Sequence, residues 1–179
     1  TTEAIPVYTN SVMNGEDQKI KELLRKSRDG DEKSFEEIVK IYTSPLFRLV
    51  YQITLNYADT EEILQETFYR FFLAIKRVKE QDPLPFLRQI ALRRSYTFLK
   101  KKRIEVSLED LPEEETRELY VEGKSIEIKE IYQFANSLPP KRRIVFILRE
   151  ILGFEDSEIS KELKISETTI RRHSQIAKE

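Results

Sequence analysis

Apolar residues recur every three or four positions along most of this chain. Nowhere do they alternate with period two for long enough to form a sheet strand. Ile63, Leu64, Phe68, Phe71, Phe72 and Ile75 are the clearest run: they fall on one side of a helix with 3.6 residues per turn. The same spacing predicts a helix from Glu16 to Arg28, with Ile20, Leu23 and Leu24 inward. A break at Gly30-Asp31 precedes a second helix carrying Phe35, Ile38, Val39, Tyr42, Leu46, Leu49, Val50 and Ile53. Pro45 lies inside that second pattern and is expected to kink or divide it. Asp59 is the expected cap of the third helix. A fourth starts at Asp82-Pro83, with Asp82 as N-cap and Pro83 in the first turn, where a missing N–H costs nothing. The fold class expected is all-α.

Charge divides the chain more sharply than hydropathy does. Lys and Arg number 31 against 32 Asp and Glu, so the formal net charge is only -1. Yet Arg88 to Arg103 holds seven cations and no acid, and Glu105 to Glu118 holds seven acids against Arg117 alone. A +7 block meeting a -6 block marks a boundary. Residues 104–124 read as a flexible acidic linker, kept extended by like-charge repulsion. They would join two small helical domains, 16–103 and 125–179, with 1–15 as a disordered tail. In the second domain, Ile126 to Phe134 and Leu138 to Ile151 suggest two helices, and Gly153 suits a left-handed terminus. Two short helices follow, Asp156 to Leu163 and Glu167 to about Lys178, the latter capped by Ser166.

Composition excludes several chemistries. With no Cys there is neither a disulfide framework nor a thiolate nucleophile or zinc site. His173 is the single histidine, so no multi-histidine metal centre can form. The chain is therefore expected to hold no catalytic residue, metal or cofactor and to act on no small-molecule substrate. No run reaches the ~18 apolar residues of a membrane span, and the N-terminus lacks a secretory pattern, so a cytoplasmic location is expected.

Three stretches suggest function. The last two helices have the spacing of a helix-turn-helix, built on Ile159, Leu163, Ile165 and Ile170. Its second helix would present Glu167, Thr168, Thr169, Arg171, Arg172 and Gln175 to base edges and phosphates. The basic block interleaves its cations with Tyr96 and Phe98, and exposed rings stack on unpaired bases at about 1–3 kcal/mol each. Phe98 suits the core better than the surface. The third stretch, Asp59 to Phe72, sets Glu62 and Glu66 on one helix face beside Gln65 and Asp59, a ridge suited to a basic partner helix.

In this order the three stretches resemble the extracytoplasmic-function (ECF) sigma factors of bacterial RNA polymerase, from about Ser34 to Glu179. The run ADTEEILQETFYRFF is similar to that family's core-binding helix. PFLRQIALRRSYTFLKKKR is similar to its −10 segment, and LPPKRRIVFILREILGFEDSEISKELKISETTIRRHSQIAKE to its −35 domain. The resemblance implies core-polymerase contacts at Asp59, Glu62, Gln65, Glu66 and Phe68. It implies −10 contacts at Lys79, Gln81, Arg93, Arg94, Tyr96, Lys100, Lys101, Lys102 and Arg103, with a flipped base trapped near the Lys79 to Asp82 loop. The −35 contacts fall to the recognition-helix residues named above. Partners implied are core RNA polymerase, promoter DNA and an anti-sigma factor, often membrane-bound.

The chain departs from the family pattern in several places. Arg93 and Thr97 stand where Asn and Asp are usual, and Phe86 replaces a Trp. Lys164 sits at a turn position that usually holds Gly, and Ser174 at one that is commonly apolar. The acidic block is expected either to mimic RNA on the polymerase or to mask the +7 surface. Masking implies that residues 1–103 alone bind DNA more tightly than the full chain. A free-standing helix-turn-helix repressor or activator is the alternative, which leaves the Asp59 to Glu66 ridge without a task. A carboxylate-metal nuclease using Glu61, Glu62 and Glu66 is the third reading.

Overall fold

A computed structural model describes residues 16–79, 82–105 and 125–176, and within them there are eight α-helices and no strand. Of the expected linker 104–124, residues 104–105 fall in the helix that ends at Glu105, and 106–124, like the tail 1–15, lie outside the described residues. The first helix, α1, spans Glu16–Arg28, as its apolar spacing predicts. Next, α2 runs through Glu32–Thr54 with Pro45 inside it, so the proline does not divide the helix. The reason lies in the packing: Tyr42 before the proline and Leu46, Leu49 and Val50 after it are all buried, and their burial offsets one missing backbone bond.

Helix α3 covers Tyr57–Ala74 and ends in a 3₁₀ turn, Ile75–Arg77. Asn56 caps it: its side-chain oxygen accepts from the Asp59 backbone N–H at 2.8 Å. The expected cap, Asp59, instead lies two residues inside the helix. Helix α4 spans Leu84–Glu105, one residue later than expected. The Pro83 carbonyl accepts the first helical bond, from Leu87 N–H, while Asp82 accepts from Leu84 N–H at 3.0 Å.

Four further helices complete the chain: α5 (Ser125–Ser137), α6 (Pro140–Phe146), α7 (Asp156–Leu163) and α8 (Glu167–Ile176). A π turn at Ile147–Ile151 widens the end of α6, and Gly153 follows at φ +71°. Glu155 and Glu158 form a reciprocal capping box on α7, and Ser166 Oγ accepts from Thr169 N–H at 3.2 Å to cap α8. Between these last two helices Lys164 takes φ 52°, the left-handed turn geometry for which Gly is usual.

The core has two parts. One belongs to the first four helices alone and centres on Leu24, Ile38, Leu46, Phe71 and Leu87. The other is shared: Leu49 and Ile53 of α2 and Leu92 and Leu99 of α4 pack with Ile144, Leu148, Phe154, Ile159 and Ile170 of the C-terminal helices. The two helical bodies are therefore seated face to face, with α4 against α6 and α7.

Candidate nucleic-acid and polymerase interfaces

Helix α3 carries the acidic ridge. Glu62, Gln65 and Glu66 point outward, and Tyr69, Phe72 and Leu73 continue the same stripe at helical spacing, each more than half exposed. The surface is thus carboxylate-rich at its N-terminal end and aromatic-apolar at its C-terminal end. Phe68 is not on it: the side chain is 9% exposed and belongs to the core with Leu64 and Phe71, three and four residues away. The apolar contact that the motif assigned to Phe68 is offered instead by Tyr69, Phe72 and Leu73. Glu66 pairs with Arg70 at 2.5 Å, an exposed contact worth ~0–1 kcal/mol. Asp59 is less exposed than its neighbours and takes the Lys102 ammonium at 2.5 Å.

The cations of α4 divide into three groups. Lys100 and Lys101 are exposed and Lys102 is held by Asp59. Arg93 and Arg94 are half-buried, and one Arg93 guanidinium nitrogen is buried with no hydrogen-bond partner. Arg88 is 4% exposed and forms a buried ion pair with Glu162 of α7. Tyr96 is half-buried against the shared core, with the Lys141 ammonium of α6 5.7 Å from its ring centre. Phe98 packs against the first core, and Phe86 meets Phe71 at 6.0 Å. Lys79 is exposed, Arg103 lies in the last turn of α4, and Gln81 lies outside the described residues.

Helix α8 displays Glu167, Thr168, Arg171, Arg172 and Gln175 to solvent. Thr169 is half-buried and its hydroxyl bonds Ser166 Oγ at 2.8 Å, so it serves the cap. Arg171 is tethered to Glu167 and to Asp156 of α7, each at 3.2 Å, which fixes the turn and holds its guanidinium at the helix N-terminal side. Burial and the nearby cations Arg142, Lys141 and Arg172 hold the His173 imidazole below its ordinary value, so it is neutral at neutral pH. Ser174 is buried with its hydroxyl unpartnered, a polar atom where packing would favour a methyl group.

Among the described residues no group of three or more His, Asp or Glu is placed to hold a metal ion. No described helix is long and apolar enough to cross a membrane.

Residues 38–104 match the model of sigma-70 region 2, and residues 128–179 that of sigma-70 region 4. The chain belongs to the ECF sigma factors. It is 26% identical over 148 residues to ECF RNA polymerase sigma factor SigE of Mycolicibacterium smegmatis, a match covering 77% of this chain and 56% of that longer protein. With ECF RNA polymerase sigma factor SigM of Bacillus subtilis it shares 24% over 141 residues, covering 77% and 86%. Its fold is similar to that of CnrH, solved in complex with the cytosolic domain of CnrY. The TM-score is 0.59 at 16% identity, covering 89% of this chain and 92% of that one.

This sigma factor carries one contact that its sequence pattern did not reveal. Arg88 counts in sequence only as the first cation of the basic block, and its partner, Glu162, stands 74 residues away in another helix. The one available signal was Glu162 itself, a carboxylate at helical spacing from the apolar Ile159 and so on the inward side of α7.

Proposed function

We propose that the chain is an alternative sigma factor that binds core RNA polymerase, directs it to promoters and helps open the duplex, without catalysing a reaction of its own. The observation that carries this reading is the separation of two unlike exposed surfaces on one chain. The acidic-to-apolar stripe of α3 suits a basic, amphipathic helix on the polymerase, and the polar, cationic face of α8 suits a DNA groove. Single exposed ion pairs are weak, so Glu62, Gln65 and Glu66 act with Tyr69, Phe72 and Leu73 as one surface. Within region 2, Lys79, Arg93, Arg94, Tyr96, Lys100, Lys101, Lys102 and Arg103 are assigned to the −10 element. Within region 4, Thr168, Arg171, Arg172 and Gln175 read the −35 element while Glu167 orients Arg171.

A sigma factor acts where the polymerase is, in the cytoplasm. CnrH was captured with the cytosolic domain of CnrY, and a protein partner of anti-sigma type is assigned to this chain on the same pattern. Run-off transcription with core polymerase on a promoter library tests the reading. Promoter-specific transcripts that appear only with the chain present are expected. Sequence-specific DNA binding that needs no polymerase, with no transcript and no capture of core, would instead make it a free-standing regulator.

A further inference from the structure

Arg93 of α4 and Lys141 and Arg142 of α6 are half-buried, and among the described residues none of the three makes an ion pair. They converge on one wedge, where α6 packs against both α4 and α8. On α4, Gln89 donates to the Lys161 carbonyl of α7 at 3.5 Å, and the Tyr96 ring centre lies 5.7 Å from the Lys141 ammonium. Arg93 stands one helical turn from each of them, so it shares their face of α4. On α8, the charges acting on the His173 imidazole are Arg142, Lys141 and Arg172, all of them positive. Hydrogen bonding is one-sided in the same place. Arg93 Nη2, His173 Nδ1 and Ser174 Oγ are buried and have no partner among the described residues. The first and last are donors, and Nδ1 is one in the tautomer that carries its proton there.

Like charges repel in a partly shielded site, and buried polar atoms in folded proteins are nearly always satisfied. Three bare polar atoms beside three unpaired cations therefore suit a ligand that is both an anion and a multiple acceptor. A carboxylate supplies one charge and two oxygens, whereas a phosphoryl group supplies about −1.5 to −2 and three acceptor oxygens. Duplex DNA carries phosphate too, but its backbone meets cations that stand clear of the surface, as exposed Arg171 and Arg172 do. Cations half-buried between three helices admit a smaller anion.

We propose that the wedge between α4, α6 and α8 binds a small phosphate anion of the diphosphate class, free or as the tail of a nucleotide. Arg93, Lys141 and Arg142 hold it, and His173 and Ser174 donate to it from α8. The Arg93 and Arg142 guanidinium forks match phosphate oxygens in pairs, and Lys141 adds a point charge that the Tyr96 ring keeps in place. Both helical bodies contribute, so neither alone contains the site. Arg93 is also assigned to the −10 element, and an occupied site withdraws that cation from DNA. This consequence rests on the sigma-factor reading, whereas the site itself does not.

His173 is the single histidine, so its imidazole C–H signals in a proton NMR spectrum need no further assignment. Titrating pyrophosphate into the full chain in metal-free buffer should move those signals along a saturable curve, and sulfate at matched ionic strength should not. R93Q/R142Q should weaken pyrophosphate binding, read by calorimetry, about tenfold with helicity by circular dichroism unchanged. K33Q/K76Q removes two exposed cations elsewhere and should leave that binding unaltered. The wild-type titration stands even if R93Q/R142Q fails to fold. ADP separates the two sources: tighter binding than pyrophosphate assigns a nucleotide tail, binding no tighter assigns the free anion, and either supports the site. No saturable shift, an equal response to sulfate, an equal loss in K33Q/K76Q, or a shift caused by a promoter duplex but not by pyrophosphate would overturn it. These arms use no polymerase, so failure of the chain to bind core would overturn the sigma-factor reading and leave the site to be decided by the titrations.

Discussion

Lys102, near the end of the basic helix, donates to Asp59, at the head of the acidic ridge, across 43 residues of sequence. The contact joins the surface assigned to DNA with the surface assigned to polymerase. The Asp59 side chain is 16% exposed and that of Lys102 36%, so the pair is partly shielded from water.

Replacing Asp59 with Ala therefore has opposite consequences for the two partners. Core binding should weaken, by no more than the ~0–1 kcal/mol of a partly exposed pair. Affinity for single-stranded −10 DNA, measured by fluorescence anisotropy, should rise two- to three-fold as Lys102 is released, with a steeper salt dependence. A fall in both affinities would mean that Asp59 merely stabilises the fold.

The turn of the helix-turn-helix offers two substitutions of opposite sign. Ser166→Ala removes the Oγ that accepts from Thr169 N–H and should cost about 1 kcal/mol in urea unfolding. Lys164→Gly relieves a non-glycine residue at φ 52° and should gain about 0.5–1 kcal/mol. Neither should change which −35 sequence is selected, because neither side chain lies on the exposed face of α8.

Stability should depend on pH through Glu162. Burial pushes its carboxyl above the ordinary 4.5, assisted by Glu158 and opposed by Arg88. The folded state then holds the proton more tightly than the unfolded state does. The contribution is at full strength below 4.5 and is lost as pH rises through the raised value. The stability of the wild type in urea unfolding, referred to E162Q, should fall as pH is raised from 4.5 through the neutral range. A difference that stays level or grows would refute that assignment.

On the recognition helix, Arg171 and Arg172 should separate. Arg171 is braced by Asp156 and Glu167, whereas Arg172 is exposed and makes no ion pair among the described residues. R172A should lower −35 affinity through lost charge alone, reducing the salt slope by about one unit for one phosphate. R171A should in addition lower the melting temperature of the C-terminal body.

The elements of the fold were legible because each is locally determined. The apolar periods of α1, α3 and α7 and the Ser166 cap are written within single turns, and the left-handed turn at Lys164 sits between two short, clear helices. Errors arose where one local signal was outweighed by its neighbours, or where a residue distant in sequence decides. Pro45 reads as a break until the buried neighbours on both sides of it are counted. Asp59 reads as a cap until Asn56 is seen to occupy that position. Phe68 joins the ridge only through the family resemblance, whereas its apolar spacing with Leu64 and Phe71 turns it inward. Arg88 looks like one more phosphate ligand because nothing near it in sequence announces Glu162.

Leu49, Ile53, Leu92 and Leu99 belong by chain position to the first body, yet they complete the hydrophobic interior of the second. A C-terminal fragment made alone would carry an oily window where those four side chains belong. Its solubility, its tendency to self-associate and its melting behaviour would then report on that missing lid. Measurements on the severed piece would describe an unfinished object, and its affinity for DNA would be a poor guide to how the whole chain chooses a promoter.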